Sequence, residues 1–145
     1  MAGMKYSKVM KERIRRVTVL FRELGCELFD EEKLEESYSS AFLTSTGLQG
    51  FFYIERDNRF LEIAYNFAFS PQLSSFLQRK MNDVLEACFE YGCYMNAYFD
   101  EHAVGISLFS KIYFSGLNYS SLRDTLVDFY HCTDAIKEVV SLKKS

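Results

Sequence analysis

The spacing of apolar residues changes from one stretch of this chain to the next, and these changes limit the folds that it can adopt. Between Tyr6 and Leu24 apolar residues recur every three or four positions, which is the period of an amphipathic helix. Gly25 follows, where a left-handed residue commonly ends a helix. Residues 27–40 carry an acidic run instead, and this stretch indicates a loop or a weak first strand.

Three segments rich in strand-forming residues come next. They run over residues 38–46, 50–56 and 59–69. Asp57 and Asn58 tolerate positive φ angles, so they favour a tight hairpin between the last two segments. The sequence therefore predicts a three-stranded antiparallel meander.

A second helix and a second hairpin are predicted after the meander. Ser70 and Pro71 are typical of a helix N-terminus, because serine caps the helix and proline suits its first position. Apolar spacing carries this helix as far as Gly92, which stops it. Residues 94–99 and 104–114 then alternate in polarity as two strands do.

The last predicted helix begins at Ser120 or Ser121, either of which can cap it. Val127 and Tyr130 widen its apolar stripe beyond what a small core requires, and such a helix often lends its surplus to a partner. No Gly/Ser linker or repeat divides the chain, so residues 1–145 are predicted to form one domain. The expected class is α+β, of order α-β-β-β-α-β-β-α, with an antiparallel sheet packed against helices.

Composition and charge exclude several classes of protein. Apolar residues make up 48% and charged residues 26% of the 145 residues, which is typical of an ordinary globular domain. The net charge of -3 argues against nucleic-acid binding, which depends on clustered Lys and Arg. The N-terminal stretch has no apolar run before its charges, and no later run is long enough to cross a membrane. We therefore expect a cytoplasmic protein without a membrane anchor.

The residues that most often carry chemistry do not form a recognisable constellation. His131 and Cys132 are neighbours in a predicted helix and point about 100° apart, so they do not readily share a metal ion. The four cysteines are irregularly spaced, which favours reduced, mostly buried thiols. We expect no catalytic residue, no cofactor and no metal. The alternative is a small enzyme or ligand-binding domain that uses His102 or His131 with nearby carboxylates.

Alternation along the strands divides the sheet residues between two faces. One face, expected to lie under the helices, takes Leu61, Ile63, Tyr65, Phe67, Ile106, Leu108 and Ile112. The opposite face takes Phe51, Tyr53, Phe60, Tyr94, Tyr98, Phe109 and Tyr113. The chain contains 14 Phe and 10 Tyr. The aromatic residues of this second face are therefore either covered by helices, where they fill core volume, or exposed as an interface. The predicted partner-binding or dimer surface is Phe51, Tyr53, Tyr94, Tyr98, Phe109 and Tyr113, with Val127 and Tyr130.

Two stretches of the chain resemble a known group of folds. FRELGCELFDE is similar to the end of the first helix and the following loop of class I type III secretion chaperones, the Tir chaperone family, and of the YbjN family. YGCYMNAYFDEHAVGISLFSKIYFSGLNYSSLRDTLVDFYHCTDAI is similar to their second-helix end, hairpin, linker and last helix. The resemblance implies a homodimer without catalysis that holds an effector segment in extended form, or, for the YbjN family, a regulatory role.

These observations lead to one main hypothesis about function. We expect a non-enzymatic protein-binding module, secretion-chaperone-like or regulatory, whose partners are a second copy of itself and a protein or peptide client. No functional residue is carried over individually from the resemblance.

Overall fold

The computed structural model of the chain describes residues 6–141. Its helices are α1 (Lys8–Glu23), α2 (Ser74–Tyr91) and α3 (Tyr119–Val139), and its strands are β1 (Glu27–Lys33), β2 (Ser37–Leu43), β3 (Gln49–Glu55), β4 (Phe60–Phe69), β5 (Tyr94–Phe99) and β6 (Val104–Tyr113). Short 3-10 turns precede α2 at Pro71–Leu73 and α3 at Phe114–Gly116. The α+β class and the predicted order of elements are confirmed, with β1 formed as a strand ahead of the meander.

The strands form an antiparallel sheet of order β1-β2-β3-β4-β6-β5. The acidic strand β1 lies at one edge, where its carboxylates stay in water, and this placement explains why a sequence so rich in charge still forms a strand. A bulge interrupts its pairing with β2 between Phe29 and Glu32, and Asp30 there has a φ of 53°. At the other edge lies β5.

Several element ends follow the sequence signals. The side chain of Ser70 accepts a hydrogen bond from the Gln72 N–H at the start of the 3-10 turn, with Pro71 in the first turn. Gly25 and Gly92 both adopt left-handed conformations, with φ values of 84° and 70°. These positions end α1 and α2 as predicted.

One local prediction is wrong. The cap of α3 is Asn118 rather than Ser120 or Ser121: its Oδ1 accepts from the Ser121 N–H at 2.9 Å, and the Ser121 hydroxyl accepts from the Asn118 N–H at 2.9 Å. This reciprocal pair has the form of a capping box, in which Ser121 takes the third helical position. The hairpin predicted at Asp57 and Asn58 is confirmed, since these residues connect the antiparallel strands β3 and β4 and the Asn58 N–H donates to the Glu55 carbonyl at 3.2 Å.

The chain divides into two compact units, which share β4, β6 and α3. The first unit comprises residues up to 64 together with 111–125. Its core is aromatic: Phe21 of α1 stacks on Phe52 of β3 with ring centroids 4.6 Å apart, and it contacts Phe42 of β2 at 5.1 Å. All three rings are fully buried, so α1 covers the β2–β3 face of this unit.

The second unit comprises residues 65–110 and those from 126 onward. In its core α3 packs against α2, and the buried Cys132 thiol of α3 donates a hydrogen bond to the Ala87 carbonyl of α2 at 3.8 Å. Ile106 and Leu108 of β6 are completely buried in the same unit. Whether the two units behave as one domain, as the sequence predicts, stays a prediction.

Candidate functional site

The sheet has an inner face directed at the core and an outer face with a different character. Of the residues assigned to the inner face, Leu61, Ile63, Phe67, Ile106, Leu108 and Ile112 are buried and Tyr65 is half-buried. Every predicted outer aromatic is half-buried or exposed. The register supports this division, since outer Phe51 lies opposite Ala64 and outer Tyr53 opposite Glu62. The predicted division of the sheet residues between two faces is therefore confirmed.

In the first unit the outer face carries a cluster that we name the Phe60 patch. Its members are Phe51, Tyr53, Phe60, Lys111 and Tyr113. Tyr113 meets Phe60 edge to face at 5.8 Å, and 53% of its side chain is exposed. The Lys111 ammonium lies 4.7 Å from the Phe60 ring centre and 5.7 Å from that of Tyr113. The Phe60 patch thus holds a cation over two of its aromatic rings.

Two carboxylates affect Tyr53, one of the two tyrosines of the Phe60 patch. Burial raises the pKa of Tyr53, and the nearby charges of Glu62 and Glu32 raise it further. Glu62 is the direct cross-strand neighbour of Tyr53. The phenol therefore stays neutral at physiological pH and can donate a hydrogen bond at the surface.

In the second unit the outer face carries a cluster that we name the Tyr94 patch, formed by Tyr94, Tyr98 and Phe109. Tyr94 lies opposite Phe109 and stacks on it, with ring centroids 5.4 Å apart and planes 23° apart. Tyr98 lies across its cross-strand neighbour Gly105, since a Cβ on Gly105 would stand 2.3 Å from the Tyr98 hydroxyl. Both tyrosines are more than a third exposed. The glycine thus makes room for an aromatic ring lying flat on the strand.

The two outermost strands of the sheet differ in charge. Strand β1 carries five charged residues in the sequence ELFDEEK and is bulged. Strand β5, YMNAYF, carries no charge and pairs with β6 in unbroken register over its whole length. No residue of β5 is fully buried, and exposure alternates along it. Natural sheets block their edges with charges and bulges, so β1 is a protected edge and β5 is not.

The two predicted surface residues outside the sheet lie on α3. Val127 is about half exposed, whereas Tyr130 is half-buried. The Tyr130 ring meets the His131 ring edge to face at 5.8 Å, and the His131 ring also lies 6.1 Å from that of Tyr91. These side chains form an aromatic surface between the end of α2 and the middle of α3.

Sequence reasoning missed an apolar pair on α2. Leu85 and Phe89 are one helical turn apart, and they are 50% and 91% exposed. The apolar spacing assigns Leu85 to the buried stripe of this helix, which the structure contradicts, because Val84 beside it takes the core position. Phe89 directly follows Cys88, which belongs to the buried stripe of α2, so the Phe89 side chain points away from that stripe. This position was the sequence signal that could have predicted its exposure.

The two histidines lie in solvated positions. His102 is in the β5–β6 turn with its side chain 89% exposed, and its Nε2 lies 3.6 Å from a carboxylate oxygen of Glu101. His131 is exposed on α3 while Cys132 beside it is buried, so the two side chains point apart as expected. Within residues 6–141 no group of three or more His, Cys, Asp and Glu side chains is placed to hold a metal ion.

The four cysteines are thiols, and three of them are buried, as the sequence predicts. Burial raises the pKa of Cys26 to about 11. A hydrogen bond with Cys132, together with burial, raises the pKa of Cys88 well above its usual range. Cys93 is half-buried directly before β5. Buried thiols of this kind are weakly nucleophilic because they stay protonated.

Comparison with known proteins extends the description of the fold. No family model and no curated protein matches this chain. A crystal structure of an uncharacterized protein from Methanothermobacter thermautotrophicus is similar, with a TM-score of 0.67 and 13% sequence identity, over 86% of this chain and 94% of that one. At that identity the similarity shows a shared fold. Over the part of the chain that the structure describes, no helix has the length and apolarity needed to cross a membrane.

Proposed function

We propose that this chain is a non-enzymatic protein-binding module that acts as a homodimer, either secretion-chaperone-like or regulatory. Its outer sheet face binds a protein segment that carries apolar and aromatic side chains. The proposal includes a cytoplasmic location. The observation that carries it is the presence, in each of the two units, of partly exposed aromatic rings on the sheet face directed away from the core.

The chemistry of both patches supports this function. Aromatic residues are enriched at protein interfaces because they bring a large contact area with few rotors to immobilise. In the Phe60 patch, Tyr53 adds a hydrogen-bond donor beside the apolar rings, which suits recognition of a peptide backbone and its side chains. The resemblance of the chain to secretion chaperones and YbjN-like proteins implies the same class of function.

Peptide binding by matched tyrosine variants tests the client-binding part of the proposal. Peptides selected against the wild-type protein from a display library are labelled, and their affinities are measured by fluorescence polarisation. Tyr113→Ser in the Phe60 patch and Tyr94→Ser in the Tyr94 patch are expected to weaken binding about 10-fold or more, the effect of losing an interface hot spot. Tyr119→Ser is the control, because Tyr119 has similar exposure but lies on α3.

Two results would count against the proposal. Equal affinities for all three variants would show that the outer face does not bind the peptide. Sedimentation velocity of the wild-type protein at micromolar concentration tests the homodimer. A monomer at that concentration would refute the homodimer part of the proposal. Circular dichroism of each variant separates loss of binding from loss of fold.

A further inference from the structure

We infer that strand β5 is the dimerisation strand: it pairs antiparallel with β5 of a second copy of this chain, around a two-fold axis at Ala97. This inference rests on the homodimer of the proposed function, and it assigns the strand and register through which the two copies meet. It leaves the outer aromatic patches to the client.

The edges of the sheet favour β5 over β1 for this role. A second copy brought to β1 would set Glu27, Asp30, Glu31 and Glu32 close to the same carboxylates of its partner, and like charges across a strand pair are destabilising. The bulge at Phe29 would also break the ladder. Strand β5 presents neither obstacle, since its six residues are uncharged and regularly paired with β6.

The hairpin determines which backbone groups of β5 face the edge. The Asp100 N–H donates to the Ala103 carbonyl at 3.0 Å, and the register from there to Tyr94 is constant. Hydrogen-bonded and non-hydrogen-bonded pairs alternate along an antiparallel ladder. Tyr98, Asn96 and Tyr94 therefore exchange hydrogen bonds with β6. The N–H and C=O groups of Met95, Ala97 and Phe99 point the other way, toward the edge.

The positions of these outward groups select one symmetric register. With the two-fold axis at Ala97, Ala97 pairs with its own copy, and Met95 pairs with Phe99 of the partner subunit. Met95, Ala97 and Phe99 of each copy then all donate and accept backbone hydrogen bonds across the interface. An axis at Asn96 or at Tyr98 would leave one of the three outside the β5 ladder, so the Ala97 register forms the most backbone hydrogen bonds.

Side chains are compatible with the same register. Met95, Ala97 and Phe99 are all half-buried on the inner face, so pairing removes more of their apolar surface from water. A methionine beside a phenylalanine forms a favourable sulfur–aromatic contact, and the two small Ala97 side chains meet at the axis without crowding. The exposed Leu85 and Phe89 lie on α2, the helix that contacts β5, and offer additional apolar surface.

Disulfide cross-linking tests the register. Met95→Cys and Phe99→Cys are combined in one chain carrying Cys93→Ser, then treated with diamide and analysed on a non-reducing gel. Within one chain the two positions are about 13 Å apart along the strand, beyond the reach of a disulfide. In the proposed dimer each faces the other across the interface. We expect a covalent dimer from the double variant and none from either single variant, whose cysteine lies about 13 Å from its own copy.

A proline tests the backbone pairing independently of thiol chemistry. Ala97→Pro removes an outward N–H without touching the ladder to β6, a substitution that edge strands tolerate. We expect sedimentation to show at least a 10-fold weaker dimer, with an unchanged circular dichroism spectrum. Tyr119→Ser, which replaces an exposed aromatic on α3 outside the sheet, serves as the surface comparison and should leave the dimer unchanged.

The outcomes separate the inference from the proposed function. A wild-type dimer that shows no cross-link in the double variant, or that survives Ala97→Pro at full strength, overturns the β5 interface and leaves the homodimer standing. A wild-type monomer at micromolar concentration overturns both. A cross-link confined to the double variant, together with a dimer weakened by Ala97→Pro, supports the Ala97 register.

Discussion

Replacing Gly105 with alanine should destabilise the protein because the space for a side chain is already occupied. An added Cβ would lie 2.3 Å from the Tyr98 hydroxyl, 2.5 Å from its Cζ and 2.7 Å from the Phe67 carbonyl oxygen. The tyrosine ring can rotate away, but the carbonyl belongs to the backbone of β4. The β4–β6 ladder must therefore shift, and overpacking of this kind costs about 1–3 kcal/mol.

Gly116→Ala is the matched control for this substitution. Gly116 has no atom within 4 Å of an added Cβ and no positive φ, so alanine fits there. Both substitutions restrict the unfolded chain equally, which stabilises the folded state by about 0.4–1 kcal/mol. The difference in the free energy of unfolding between the two variants therefore measures the cost of the steric clash at Gly105. Urea unfolding followed by circular dichroism, at one protein concentration, should place the two midpoints about 1 M apart.

A double variant identifies which contact limits the fold. Tyr98→Ala combined with Gly105→Ala removes the ring but keeps the Phe67 carbonyl, so it should remain less stable than Tyr98→Ala alone. Equal stability of those two variants would show that the backbone contact is harmless. A Gly105→Ala protein as stable as Gly116→Ala would refute the whole steric argument.

Two further predictions concern the core and the pH dependence. Phe21→Ala should lower the free energy of unfolding by about 3–5 kcal/mol, because Phe21 is fully buried against Phe52, and a loss below about 1 kcal/mol in urea titrations would contradict the described packing. Burial and the hydrogen bond to Glu31 raise the pKa of Tyr38, so above pH about 10 the unfolded chain releases a proton that the folded chain retains. The free energy of unfolding should therefore fall as pH rises through that range, and less steeply in Tyr38→Phe.

Features of the candidate site that depend on strand periodicity could be predicted from the sequence. Side chains alternate between faces with a period of two, so the parity of β6 places Phe109 and Tyr113 on the face opposite Ile106. Within one strand that division needs no knowledge of how the strands pair, whereas matching the faces of different strands requires their register. The exposed pair on α2 could not be found in this way, because Val84 and Leu85 are adjacent and the helix orientation decides which of them faces the core.

By itself, the sequence determined the type and order of the three helices and of strands β2 to β6, the helix ends at Gly25 and Gly92, and the alternation of side chains along each strand. These properties depend on neighbours within a few residues, through periodicity and backbone conformation. The tertiary structure alone decided that acidic β1 forms an edge strand and that β5 lies at the opposite edge beyond β6. Both depend on the order in which the strands pair. Local sequence pattern does not determine that order, because hydrogen bonds between strands join residues far apart in the chain.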